Sequence, residues 1–118
     1  MRVLLTGPAG LVGGRLGTLL TRQGFQVVAG RHLNAPPAGL DAVTLDLHSA
    51  ASTESALARS GADAVVHAAT FGGADACEED PAAAFALNVV ATGRLAALCR
   101  SAGVRLIALS TDQVLAGD

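Results

Sequence analysis

Three glycines near the start of the chain are spaced three residues apart and could hold a phosphate group. Gly7, Gly10 and Gly13 follow an apolar run at 3–5, and beyond them the apolar residues recur with helical spacing. Glycines in such a turn permit a sharp change of direction, close approach of backbone N–H groups to a phosphate, and close packing of helix on sheet. The helix N-terminus adds N–H donors and partial positive charge. The predicted phosphate-binding residues are Gly7, Ala9, Gly10, Leu11, Val12 and Gly13. The alternative is a tight turn without a ligand.

Composition limits the class of protein. The 118 residues are enough for at most one ordinary domain, and 51% hydrophobic with 15% charged residues predicts a filled core. A net charge of −2 gives no reason to expect nucleic acid or an anionic membrane as a partner. We find no signal peptide and no apolar span of about 18 residues, which favours the cytoplasm. Cys77 and Cys99 lack metal-ligand spacing, so we expect reduced, buried thiols.

Strands and helices alternate along the chain. The predicted strands cover 3–5, 25–30, 43–45, 64–67 and 105–109, the predicted helices 10–23, 49–60 and 81–102, and the predicted loops 33–40 and 70–79. Right-handed crossovers then give an α/β fold, an incomplete Rossmann-type doubly wound parallel sheet with strand order 3-2-1-4-5. Its ligand crevice is expected above strands 1 and 4.

The second strand indicates which dinucleotide would bind. In this fold the residue that reads the adenosine ribose lies just past strand two, and an acid there accepts a hydrogen bond from the 2′-hydroxyl of NAD. This sequence has Arg31 instead. A guanidinium pairs well with a 2′-phosphate, so we predict a preference for NADPH, with NAD as the alternative cofactor. The alternative is that Arg31 is a solvated surface residue.

Asp46 and Leu47 follow the third predicted strand, at the carboxyl edge of the sheet. Ligands bind at that edge in open α/β sheets, so both residues are predicted to bind the cofactor. Two interpretations of the Asp46 carboxylate stay open. It accepts a hydrogen bond from the adenine amino group, or it caps the N-terminus of the next helix.

Small residues follow the fourth strand. Ala68, Ala69 and Thr70 are expected to line the cofactor site, whereas His67 has no visible catalytic partner and is interpreted as a packed or hydrogen-bonded histidine. Asn88 lies beside the apolar stripe of the long helix and is either a structural tie or a cofactor-side residue.

Hydroxyl groups follow the fifth strand, at Ser110 and Thr111. They are expected to face the crevice, where Ser110 would bind the cofactor; the alternative is a polar turn that ends the strand.

Together these motifs resemble the N-terminal part of extended short-chain dehydrogenases/reductases. The resemblance covers the whole chain and is carried by TGPAGLVG, Asp46-Leu47, His67-Ala68-Ala69, Asn88-Val89 and STDQVLAGD. This last block, with ADACEEDPAAAFALN at 74–88, is most similar to dTDP-4-dehydrorhamnose reductases and related sugar-nucleotide-binding proteins. The resemblance implies hydride transfer from NADPH or NADH to a 4-keto sugar on a nucleotide carrier.

The resemblance also implies a catalytic set, of which this sequence carries half. Thr111 matches the hydroxyl that polarises the substrate carbonyl, but the chain contains no Tyr and no Lys for the Tyr-x-x-x-Lys pair that supplies the proton. We therefore expect residues 1–118 to be the NAD(P)-binding part of a truncated reductase, inactive alone, with its nucleotide-sugar lobe absent. An exposed fifth strand predicts self-association. The alternatives are a non-catalytic or regulatory nucleotide-binding module and an epimerase or dehydratase fragment.

Overall fold

The computed structural model describes residues 1–32, 39–70 and 74–109, which form five strands and the helices between them. The strands are β1 Arg2–Thr6, β2 Gln26–Arg31, β3 Asp41–Thr44, β4 Ala64–His67 and β5 Arg105–Ala108. The helices are α1 Leu11–Arg22, α2 Ala50–Ser60, α3 Ala74–Glu79, α4 Pro81–Phe85 and α5 Thr92–Ala102, with a π-helical segment, Ala86–Ala91, between α4 and α5.

All five strands are parallel and follow the order β3-β2-β1-β4-β5, as the sequence predicted. The central strand β1 is paired on both sides, so that Leu5 lies opposite Ala29 of β2 and Val66 of β4. This register brings the carboxyl ends of β1, β2 and β4 to one edge of the sheet.

The core lies on both faces of the sheet because β1 sends alternate side chains to opposite sides. On one face Leu4 packs in a buried cluster with Leu95 and Cys99 of α5. On the other face Leu5 belongs to a second cluster, against which Leu16 and Leu20 of α1 pack. The unbroken apolar run of β1 was therefore the correct signal for a strand buried on both faces.

Several predicted boundaries differ from those observed. β2 and β3 begin and end one or two residues away from the predicted positions. The predicted loop at 70–79 was wrong for its second half, which is the helix α3. Its sequence is ADACEE, and Ala and Glu favour helices intrinsically. Of the predicted loop at 33–40, residues 33–38 lie outside the described part of the chain.

The predicted long helix begins and ends as the sequence indicated. The Asp80 carboxylate accepts a hydrogen bond from the Ala83 backbone N–H at 3.1 Å, and Pro81 occupies the first turn. The helical path runs continuously through the π-helical segment and ends at Gly103, which has φ of 69°.

The expectation that no apolar span is long enough for a membrane was wrong for this helix. Pro81–Ala102 has 22 residues and is apolar enough to cross a membrane by length and composition. The core helix of a soluble protein passes the same test when it is mostly buried; here 22% of the apolar window is buried, and Leu95 and Cys99 lie against the sheet. Both cysteines are thiols, as expected, although Cys77 is only half-buried. Burial raises the pKa of the Cys99 thiol.

Candidate functional site

The glycine turn between β1 and α1 is tightly closed. Gly7 has φ of 67°, and a Cβ there would lie 2.7 Å from the Ala69 backbone nitrogen. A Cβ on Gly13 would lie 1.8 Å from the Gly7 carbonyl oxygen. Both positions therefore require glycine for the fold itself. Gly13 thus lets the first turn of α1 pack closely on the residues that follow β1. Further along the helix, a Cβ on Gly17 would meet Leu40 at 3.0 Å and Leu5 of β1 at 3.4 Å.

Gly10 differs from the other two glycines. Its N–H donates to the Gly7 carbonyl at 3.2 Å, and a Cβ on it would meet only that oxygen, at an ordinary 3.4 Å. The fold tolerates a side chain at Gly10, which is exposed. What a side chain would obstruct is the space in front of the helix.

The N-terminus of α1 has the features of an anion site. The N-cap is Gly10, which has no side chain to accept a hydrogen bond from the first N–H groups of the helix. The first turn contains no acidic residue. The N–H groups of Leu11, Val12 and Gly13 begin the helix, where donors have no intrahelical partner. Unpaired donors and the helix dipole both favour a phosphate there.

This turn opens into a crevice of about 460 Å³ at the carboxyl edge of the sheet. The crevice has three walls, formed by the glycine turn, by the ends of β2 and β3, and by the residues after β4. It is lined by Thr6, Gly7, Pro8, Ala9, Gly10, Gly30, His32, Leu45, Asp46, Leu47, His48, Ala68, Ala69, Thr70 and Leu87.

Most of the predicted cofactor residues meet in this crevice. Those that line it are Gly7, Ala9, Gly10, Asp46, Leu47, Ala68, Ala69 and Thr70. Leu11, Val12 and Gly13 are the first residues of α1 and are not among the lining residues of the crevice. Ser110 and Thr111, the predicted hydroxyl groups after β5, lie outside the described residues.

Two other predicted residues lie away from the lining. Arg31 is the exposed last residue of β2, directly before His32, which does line the crevice. Asn88 is exposed, and its side-chain amide donates to the Cys77 sulfur at 3.9 Å. This contact fits a structural tie, and the cofactor-side role of Asn88 stays a prediction.

Sequence reasoning missed two histidines of the crevice. His32 follows β2 and His48 follows Asp46 by two residues, so the rule that pointed to Arg31 and Asp46 could have found both. Leu87 gave no such signal. It lies in the π-helical segment, where the number of residues per turn differs from that of an α-helix.

The Asp46 carboxylate does not cap α2, so that interpretation was wrong. Ser49 is the N-cap, and its hydroxyl accepts a hydrogen bond from the Ser52 N–H at 3.1 Å. Asp46 instead accepts from the His48 N–H at 3.0 Å and so stabilises the turn between β3 and α2. Arg94 of α5 donates to the Leu47 carbonyl at 3.0 Å, which holds this wall from the helix side.

His67 is buried at the end of β4 and is hydrogen-bonded through both ring nitrogens, as the sequence interpretation expected. Nδ1 lies 2.7 Å from the Thr6 hydroxyl, and Nε2 lies 3.0 Å from the Thr92 hydroxyl. Burial lowers the pKa of His67, which favours the neutral ring. Among the described residues, no buried side-chain nitrogen or oxygen is left without a hydrogen bond.

Comparison with known proteins gives relatives over the whole chain. A dTDP-4-dehydrorhamnose reductase of Streptomyces griseus is 36% identical over 116 residues, covering 98% of this chain and 35% of the relative. The structure of MoeE5 in complex with UDP-glucose and NAD is 32% identical with a TM-score of 0.86, covering 100% of this chain and 39% of that one. A Thermus thermophilus UDP-glucose 4-epimerase in complex with NAD is 29% identical with a TM-score of 0.82, covering 90% and 36%.

These relatives agree with the resemblance drawn from the motifs, and the chain spans 35% of the length of the Streptomyces reductase. The family model described as the RmlD substrate binding domain matches residues 1–118. The chain therefore belongs to the RmlD substrate binding domain family, the group that includes dTDP-4-dehydrorhamnose reductases.

Proposed function

We propose that this chain is the dinucleotide-binding part of a sugar-nucleotide reductase. The observation that carries the proposal is the glycine turn. It places the acid-free N-terminus of α1 at a crevice whose other walls follow β2, β3 and β4. A dinucleotide would lie with its pyrophosphate at the turn between Gly7 and Gly10, and with its adenosine toward His32 and Asp46.

The comparisons support this assignment. Two of the similar structures contain NAD, and one of them also contains UDP-glucose. The reductase relative is named for a dTDP-linked 4-keto sugar. We infer that the whole protein transfers a hydride from a nicotinamide cofactor to a 4-keto sugar nucleotide, and that residues 1–118 supply the cofactor site. A cytoplasmic location fits such a biosynthetic role.

Within this proposal the cofactor is NADPH. The end of β2 carries no acid to accept a bond from a ribose 2′-hydroxyl, whereas Arg31 is exposed there beside His32. A guanidinium on the rim of the crevice would pair bidentately with a 2′-phosphate. Asp46, after β3 on the same wall, would accept a hydrogen bond from the adenine amino group with the carboxylate oxygen that does not bond the His48 N–H.

Arg31→Asp tests the cofactor assignment. The change removes the phosphate partner and supplies an acceptor for a 2′-hydroxyl, so we expect NADPH affinity to fall by about tenfold or more while NADH affinity holds or rises. Arg105→Asp, at the exposed start of β5 and the opposite edge of the sheet, is the matched control and should leave both affinities unchanged. Equal affinity of the unaltered protein for the two cofactors would remove the basis for the NADPH preference.

A second candidate is a nucleotide-binding module without catalysis of its own. The sequence contains no Tyr and no Lys and spans 35% of the length of the Streptomyces reductase, so residues 1–118 fit this candidate as well as the first. Both candidates require the same dinucleotide crevice, and they differ in whether the whole protein turns over a keto sugar.

A further inference from the structure

We propose that Thr6 and His67 are positioning residues that set the spacing between the glycine turn and the segment after β4. The proposal rests on the proposed dinucleotide site, because these two segments form facing walls of the same crevice. Neither side chain reacts. Their role is to hold backbone groups where the cofactor needs them.

The hydrogen-bond geometry fixes the proton on His67. The Thr6 hydroxyl oxygen accepts from the Ala68 N–H at 3.1 Å and from the Ala69 N–H at 3.2 Å. A hydroxyl has two acceptor positions and one proton, so its proton points to His67 Nδ1, 2.7 Å away. Nδ1 is therefore the unprotonated nitrogen, and Nε2 carries the hydrogen.

The second ring nitrogen links the network to the long helix. The Nε2 hydrogen of His67 donates to the Thr92 hydroxyl at 3.0 Å, and Thr92 is the first residue of α5. One neutral histidine thus joins the end of β1, the segment after β4 and the start of α5. All of its hydrogen bonds are satisfied in a single tautomer.

The position of Thr6 explains why this network affects binding. Thr6 is the last residue of β1 and directly precedes Gly7. A Cβ on Gly7 would lie 2.7 Å from the Ala69 nitrogen, so the two walls are in contact here. The Thr6 hydroxyl forms a hydrogen bond between them. Without the bond to Ala69, that N–H loses its acceptor and the segment after β4 can move relative to the phosphate turn.

Paired variants of Thr6 separate positioning from general stability. Thr6→Val keeps the shape and removes the hydroxyl, whereas Thr6→Ser keeps the hydroxyl. At the histidine, His67→Leu removes both bonds, whereas His67→Asn offers an amide oxygen near the position of Nδ1. Ser60→Ala is the matched control, since the Ser60 hydroxyl is equally buried but lies at the far edge of the sheet. The backbone carbonyl of Ser60 accepts a hydrogen bond there from the Arg2 side chain.

The readout is NADPH and NADH affinity by calorimetry, together with urea unfolding of each variant. We expect Thr6→Val and His67→Leu to bind about tenfold more weakly, Thr6→Ser and His67→Asn to recover most of that loss, and Ser60→Ala to lose stability but not affinity. Full affinity in Thr6→Val, or an equal loss of affinity in Ser60→Ala, would overturn the proposal.

Amide hydrogen exchange tests the bond itself without a ligand. The Ala69 N–H should exchange faster in Thr6→Val than in Thr6→Ser, and unchanged exchange would overturn the proposed tie. If the unaltered protein bound neither dinucleotide, the proposed function would fail. If it bound both and no variant changed the affinity, only the positioning role would fail.

Discussion

At the scale of single residues, two glycines of one turn have different physical reasons to be glycine. A Cβ on Gly13 would overlap the Gly7 carbonyl oxygen, whereas a Cβ on Gly10 would not. Gly13→Ala should lower the free energy of unfolding by about 3 kcal/mol or more, because backbone must move. Gly10→Ala should change it by less than about 1 kcal/mol, since its φ of −76° suits any residue. Urea unfolding measures both, and equal losses would refute the distinction.

His67 gives the stability of the protein a pH dependence. Burial holds its pKa below the ordinary value of 6.5, so the unfolded chain binds more protons once the pH falls below that value. The histidine's contribution to stability is fully present above pH 6.5 and is lost as the pH falls toward the folded-state pKa, with a slope of at most about 1.4 kcal/mol per pH unit.

The test of this dependence is urea unfolding at a series of pH values for the unaltered protein and His67→Asn. Because other groups titrate equally in both proteins, the difference between the two curves isolates the histidine. The unaltered protein should lose more stability than the variant as the pH falls. Parallel curves would be inconsistent with a neutral buried ring.

Some residue roles were readable from the sequence and others were not. The glycine spacing and the residues after each strand located most of the crevice, since parallel strands bring their carboxyl ends to one edge. The bond between Thr6 and His67 was not readable, because it joins residues 61 positions apart and depends on the register of β1 and β4. The capping role of Asp46 failed because Ser49, closer to the helix, made the cap.

At the scale of elements, buried strands were the most predictable. β4 was located at its observed bounds, because an apolar run between polar residues has few alternatives. The helix α3 was missed, since a six-residue helix offers too little periodicity to be distinguished from a polar loop. The spacing of apolar residues also cannot indicate the π-helical segment. Its wider turn shifts which side chains of the helix after it face the sheet.

The strand β5 and the long helix carry exposed apolar side chains. On β5, the edge strand of the described sheet, Ile107 is 47% exposed, and Leu109 beyond it is 42% exposed. On the helix, Phe85 and Val89 are more than half exposed. An edge strand with apolar side chains favours association with another chain. We therefore expect the 118-residue protein to self-associate.

Ile107→Lys tests this expectation, because a charged residue on an edge strand opposes pairing. At each protein concentration, the apparent mass by light scattering should be lower for the variant than for the unaltered protein. Leu19→Lys, which replaces an exposed apolar residue of α1, is the control and should not alter association. A monomeric unaltered protein at all concentrations would contradict the expectation.

At the scale of the whole molecule, we expect the residue types of the chain to be sufficient for binding a dinucleotide but not for turnover. The chain has no Tyr and no Lys to donate a proton to a keto sugar, and general acid catalysis contributes about 10²–10⁴-fold. We expect no measurable oxidation of NADPH when the 118-residue protein is mixed with a dTDP-linked 4-keto sugar. Turnover above the rate without protein would show that another group supplies the proton.

We expect the crevice to bind a dinucleotide through its pyrophosphate at the glycine turn. Calorimetric titration of NADPH into the unaltered protein, Gly10→Val and Gly93→Ala tests it most directly, since a Cβ at Gly93 meets nothing within 4 Å. The unaltered protein and Gly93→Ala should bind NADPH, whereas Gly10→Val should keep the fold and bind at least about tenfold more weakly. No binding by the unaltered protein, or equal affinity in Gly10→Val, would contradict it.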